Sequence, residues 1–181
     1  MTRVLSFAGR VELAKTILLG SMNYWIQTFK LPQAIIAELE RIICNFIWKD
    51  GMHAISWDTI CRPKKEGGLG LRKIKDMSKA AGIKLCWRLG TITTLWSSWM
   101  KYSYFASTAI WNYSPKLLDS GIVKFIIQSR ELASQYITRS EENDHPDSYV
   151  WTGNATNTFS YASAWDISRV KHQKFLFQDV L

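Results

Sequence analysis

The sequence predicts a mainly α-helical protein: a helical bundle, then a helical connector, then a short β-hairpin and a helix at the C-terminus. Three observations predict it. Apolar residues recur every three or four positions through successive segments up to about residue 137. Serine, threonine, aspartate, glycine and proline fall between those segments, where helices start and stop. Strand-type sequence appears only after residue 148. With 47% hydrophobic and 21% charged residues, and nine tryptophans in 181 residues, the composition suits a packed core.

Taken in order, Ser6 is a plausible N-cap for a first helix that runs to about Phe29, where Leu31-Pro32 stops it. Val11, Ala14, Leu18, Met22, Trp25 and Phe29 form its apolar stripe. A second helix follows, with Pro32 near its first turn, where a missing N–H costs little. Its pairs Ile35/Ile36, Leu39, Ile42/Ile43 and Phe46/Ile47 recur at helical spacing, and the short link makes the two helices antiparallel neighbours. A helical turn spans Trp57 to Cys61. A third helix is expected from Asp76, as N-cap, to Leu89, ended by Gly90. Thr94 to Phe105 is an aromatic helix, Tyr113-Ser114-Pro115 breaks it, and 116–137 is helical again but weakened by Gly121. The expected divisions are a bundle at 1–90, a connector at 91–137, an acidic linker at 138–148 and a final region at 149–181. In the last, 148–151 and 158–160 read as the two strands of the hairpin, and 162–169 as a helix.

The net charge of +8 is unevenly placed. Residues 1–90 hold 15 Lys/Arg against 7 Asp/Glu, while residues 91–181 hold 8 against 8. The stretch 62–88 is densest, which suits nucleic acid or an anionic surface; a solvated helix face is the competing reading. Cys44, Cys61 and Cys86 are odd in number and widely spaced, which supports neither a disulfide framework nor a zinc site and suits an intracellular protein of nucleus or cytoplasm. There is no signal-peptide pattern and no apolar run of membrane-spanning length, so no membrane role is expected. Trp25, Trp48 and Trp87 sit at apolar helical positions and read as core. Trp96 and Trp99 read as burying a seam between the bundle and the C-terminal part.

The most specific motif is Arg62-Pro63-Lys64-Lys65-Glu66-Gly67-Gly68-Leu69-Gly70-Leu71-Arg72. Gly67, Gly68 and Gly70 specify a tight backbone path, and Lys64, Lys65, Arg72 and Lys73 set cations on both sides of it. Read from Cys61 to Leu71, this segment resembles the one following the polymerase core in plant non-LTR (LINE-type) reverse transcriptases. Upstream, Leu5-Ser6-Phe7-Ala8-Gly9-Arg10-Val11-Glu12-Leu13-Ala14-Lys15 resembles that family's Leu-Ser-X-Ala-Gly-Arg-X-X-Leu-Ile-Lys run. Phe46-Ile47-Trp48 and Ser56-Trp57 fit in the same order. Near the C-terminus, Asp147, Trp151, Phe159, Ser160, Ser163, Ala164 and Trp165 resemble the start of the family's zinc-binding domain.

The resemblance implies a thumb-like bundle over residues 4 to about 90, packing against a template–primer duplex. Arg10, Lys15, Lys64, Lys65, Arg72, Lys73, Lys75 and Lys79 would then contact phosphates of RNA or DNA without reading bases. For Arg10 and Lys15 the competing reading is ordinary helix-surface charge, with Arg10 paired to Glu12 or to loop backbone. The family's catalytic aspartates would lie before Met1, since this chain has no Asp-Asp pair, and its zinc ligands after Leu181. His53, His145 and His172 read as surface histidines, and the acidic cluster 141–147 as a solvated linker. No catalytic residue, metal or cofactor is therefore expected. The reading is a non-catalytic fragment with sequence-independent backbone binding, its expected partners RNA or DNA and other retroelement-derived protein. A basic scaffold protein, or a retroelement relic without selected function, stays open.

Overall fold

In a computed structural model of the chain, which describes residues 5–49, 55–106, 109–139 and 149–172, the fold is mainly helical with one two-stranded antiparallel sheet. It packs as two compact units, Met1–Met77 with Val170–Leu181, and Ser78–Arg169. The sequence placed its first division after residue 90. The observed boundary instead falls inside a continuous helix.

In the first unit Ser6 caps the opening helix, its hydroxyl accepting the Gly9 N–H at 3.2 Å. The helix runs as α1 (Phe7–Leu13), a π-helical stretch (Ala14–Leu18) and α2 (Leu19–Thr28). A π stretch has more residues per turn than an α-helix, so it displaces every later side chain around the axis. The apolar stripe expected from the sequence is corrected accordingly. Ala14, Leu19 and Ile26 are the buried positions, while Trp25 and Phe29 turn outward. The same displacement turns Asn23 inward, leaving its Oδ1 buried without a hydrogen-bond partner.

Helix α3 (Gln33–Trp48) starts after Pro32 and ends at Lys49 in the left-handed conformation, φ 56°. It buries Ile36, Ile43, Cys44 and Ile47, and exposes Ile35 and Ile42. The Phe7 ring lies 5.2 Å from that of Trp48, so the start of α1 meets the end of α3, as antiparallel neighbours must. Helix α4 (Trp57–Ile60) is capped by Ser56. Helix α5 (Ile74–Thr91) starts before Asp76 because the Glu40 carboxylate of α3 accepts the Ile74 N–H at 3.0 Å. It also continues through Gly90, where a Cβ would come within 3.1 Å of the Tyr149 ring; that glycine serves packing and does not end the helix.

In the second unit α5 is buried on several sides, through Ala80, Ala81, Ile83, Leu85, Cys86 and Leu89. A Cβ on Gly82 would stand 1.9 Å from Ser129 Oγ, so only glycine lets α5 approach α7 (Gly121–Ser134) this closely. Helix α6 (Leu95–Tyr104) carries a Thr94/Ser97 capping box and buries Ser97 and Met100. Trp99 is 53% exposed and Trp96 only partly buried, so the expected pair of seam tryptophans is not buried as a face. Helix α7 begins later than predicted because Asp119 holds the preceding turn, accepting from Lys116 N–H at 2.6 Å and Tyr113 Oη at 2.9 Å.

The hairpin partner is a second correction. Strand β2 (Tyr149–Trp151) pairs antiparallel with β1 (Ile137–Arg139), with Ile137 opposite Trp151, and not with 158–160. Residues 152–160 are held as a loop, with Asn154 Nδ2 donating to Thr158 O at 2.7 Å and Asn157 at φ 53°. The rest of the expected acidic linker lies outside the described residues. Helix α8 (Tyr161–Ser168) follows a Ser160/Ser163 capping box. Trp151, fully buried, centres this core: Phe159 meets it edge-on at 4.9 Å, Trp87 lies 6.3 Å away, and its indole N–H donates to Ser163 Oγ at 2.9 Å.

Candidate nucleic-acid interface

The glycine motif folds back on α4 within the first unit. After Ile60 the chain makes a 3₁₀ turn at Lys64–Glu66, closed by Gly67 at φ 82°. Gly70 is also left-handed, φ 78°. Gly68 is required for a different reason: a Cβ there would lie 2.0 Å from the Arg62 carbonyl oxygen. Two of the glycines answer to backbone conformation and one to a close approach.

Every backbone N–H from Glu66 to Gly70 points into the loop. Glu66 and Gly68 donate to Pro63 O at 2.8 and 3.1 Å, and Gly67 donates to Lys64 O at 3.2 Å. Leu69 reaches Ile60 O at 3.0 Å, and Gly70 reaches Arg62 O at 2.9 Å. A phosphate cradle presents such groups outward. Here they are already engaged, so the loop is a rigid mount whose chemistry lies in its side chains. The Glu66 carboxylate, buried, accepts the His172 N–H at 3.3 Å and ties the returning chain to the same unit.

The structure sorts the eight candidate cations. Lys64, Lys65, Arg72 and Lys75 are exposed on and just after the loop, and Lys15 is exposed on the π-helical stretch. The Lys64 stem passes over Gly70, its Cγ 3.6 Å from where a Cβ would be. Arg10 is drawn into the fold. Its Nε donates to Ile47 O at 2.8 Å and its Nη1 to Leu5 O at 3.1 Å, joining the first helix to the C-terminal carbonyls of α3. Lys73 forms an ion pair with Asp58 at 2.7 Å. Burial alone would lower its pKa, but the hydrogen bond and charge of Asp58, with Asp76 nearby, hold it above the ordinary value. Lys79 belongs to the second unit, where its Nζ approaches Ser168 O at 3.4 Å.

Two acidic residues that the sequence reading passed over organise the mount. Burial pushes the Glu40 carboxyl above the ordinary carboxylate range, against the opposing pull of the Ile74 N–H and Lys73. Asp58 holds Lys73. No local signal marks either one, because each acts on a partner distant in sequence. The three thiols are buried and form no disulfide; burial raises the pKa of each, Cys86 to about 12. Among the described residues no group of three His, Cys, Asp or Glu is placed to hold a metal ion, and no helix is long and apolar enough to cross a membrane. His172 is exposed, whereas His53 and His145 lie outside the described residues.

No protein-family model matches the chain, and no solved structure does. Among curated proteins, it is 40% identical over 92 residues to an Arabidopsis thaliana protein that carries the name "Putative ribonuclease H protein". That match covers 48% of this chain and 15% of the Arabidopsis protein.

Proposed function

We propose that this chain is the part of a LINE-type reverse transcriptase that follows the polymerase core, and that it grips RNA or DNA by the sugar–phosphate backbone without catalysing a reaction itself. The observation that carries the proposal is the basic glycine loop. Its backbone donors are engaged internally while Lys64, Lys65, Arg72 and Lys75 stand exposed on a stiff support. Cations held this way neutralise phosphates and read no bases. The ordered run of family-like motifs across the first ninety or so residues supports the origin. The ribonuclease name of the partial relative supports a nucleic-acid setting.

The test is binding of the purified chain to duplex DNA and to RNA across a salt series. The expected log–log slope is about −0.9 per phosphate neutralised on duplex DNA. Replacing Lys64, Lys65, Arg72 and Lys75 with alanine should flatten that slope. No binding at low salt, or a slope indifferent to the four substitutions, sinks the proposal. A stoichiometric protein partner that survives nuclease treatment would favour a scaffold in its place.

A further inference from the structure

The π-helical stretch has a second consequence on the outer side of α2. Tyr24, Trp25 and Phe29 are 67%, 51% and 53% exposed. Their rings touch one another: Trp25 stacks on Phe29 with centroids 6.0 Å apart and planes 22° from parallel, and it meets Tyr24 edge-on at 5.5 Å. Large aromatic side chains normally bury most of their area, so three contiguous half-open rings, two on the last turns of α2 and one on its extended C-cap residue Phe29, mark a surface with a partner.

Charge says which kind of partner. From Leu13 to Ala37 the chain has no carboxylate, and it carries Lys15 and Lys30, both exposed, the latter directly after Phe29. The unit that holds this helix has 14 Lys/Arg against 8 Asp/Glu. Flat aromatic faces on a segment that carries lysines and no carboxylate, in a unit of net positive charge, match unpaired bases on an anionic strand. We infer that Tyr24, Trp25 and Phe29 form a stacking ledge for single-stranded nucleic acid. The inference rests on the nucleic-acid reading above and adds a preference: loop cations hold backbone of any form, whereas the ledge engages only unpaired bases.

The test uses the full chain with labelled oligothymidine and with a duplex of equal length, at low salt. Loss of base stacking costs about 1–3 kcal/mol per base, roughly 5- to 150-fold in affinity. Trp25→Ala with Phe29→Ala should therefore weaken single-strand binding by about tenfold or more while duplex binding stays within about twofold. Trp25→Leu, apolar but unable to stack, should weaken single-strand binding too. Both rings are half exposed, so the thermal melt should barely move and a folding defect is readily recognised. Unchanged single-strand affinity in the double variant overturns the ledge, as does full affinity in Trp25→Leu. Loss of self-association without loss of single-strand affinity also overturns it and assigns the face to a second copy. If duplex binding keeps its lysine-dependent salt slope in any of these cases, the ledge alone fails. If the wild-type chain binds neither ligand, both proposals fall.

Discussion

Replacing Gly68 with alanine should destabilise the chain by about 2–4 kcal/mol, although the change adds a single methyl group. The added Cβ would lie 2.0 Å from the Arg62 carbonyl oxygen, 2.5 Å from its carbon and 2.7 Å from Arg62 Cα. All three are backbone atoms, so no side-chain rotation relieves the overlap and the 62–70 path must open. Opening it releases the Gly68 N–H from Pro63 O and the Gly70 N–H from Arg62 O. Each lost bond costs about 1 kcal/mol net, and the displaced backbone adds a comparable amount. Gly20→Ala is the internal control. Gly20 is exposed in α2 with nothing within 4 Å of an added methyl group, so alanine there should stabilise by about 0.5–1 kcal/mol. Urea unfolding followed by circular dichroism and tryptophan fluorescence reads both. A Gly68→Ala variant within about 0.5 kcal/mol of wild type, or less affected than Gly20→Ala, would refute the account of the loop.

Three further outcomes can be measured. The folded Glu40 carboxyl has a pKa above its ordinary 4.5, so in that window the native state holds a proton that the unfolded chain has lost. Stability from this group falls as pH rises through the window, and the penalty persists above it. Glu40→Gln, which keeps the acceptor for Ile74 N–H, should therefore gain on wild type as pH rises through that window; Glu40→Ala, which orphans the donor, should lose about 1–3 kcal/mol at any pH. With Cys86 pushed up to about 12 and all three thiols buried, Ellman's reagent at mildly alkaline pH should label the native chain far more slowly than the urea-unfolded one, and rapid native labelling would contradict the burial. Trp151→Ala should cost about 3–5 kcal/mol, and Trp151→Phe, which loses only the bond to Ser163 and part of the ring, clearly less; equal losses would show that the indole's size does not matter.

Much of the helical layout was legible locally. Ser6 announces a helix start, and a helix is legible from Thr94, because a hydroxyl there bonds an N–H three residues on, a relation contained in the sequence; Ser160, read as the end of a strand, is instead the cap of α8. The glycine motif was legible as a tight connector for the same reason. The family-like C-terminal motif turns out to name the residues that build the Trp151 core: Trp151 and Ser163 share a hydrogen bond, Phe159 packs on the indole, and Ala164 is buried beside them. What misled were ties of equal local merit. Leu18 and Leu19, like Trp25 and Ile26, are adjacent apolar pairs, so either member satisfies a helical period.

The sequence by itself determined that the chain is mainly helical, where most helices begin, and that a basic, glycine-bearing loop links two of them. These follow from periodicity and from contacts within one turn. Tertiary structure alone decided which apolar member of each pair faces inward, because the π stretch shifts the register by an amount no period reveals. It decided which strand pairs with Tyr149–Trp151, and that α5 starts at a cap lent by Glu40 from another helix. It also sorted the cations: Arg10 and Lys73 are drawn into bonds with distant partners, Ile47 and Asp58, while Lys64, Lys65 and Lys75 remain exposed on their mount. Charge can be counted from a sequence, but its availability depends on which groups the fold brings within hydrogen-bonding distance.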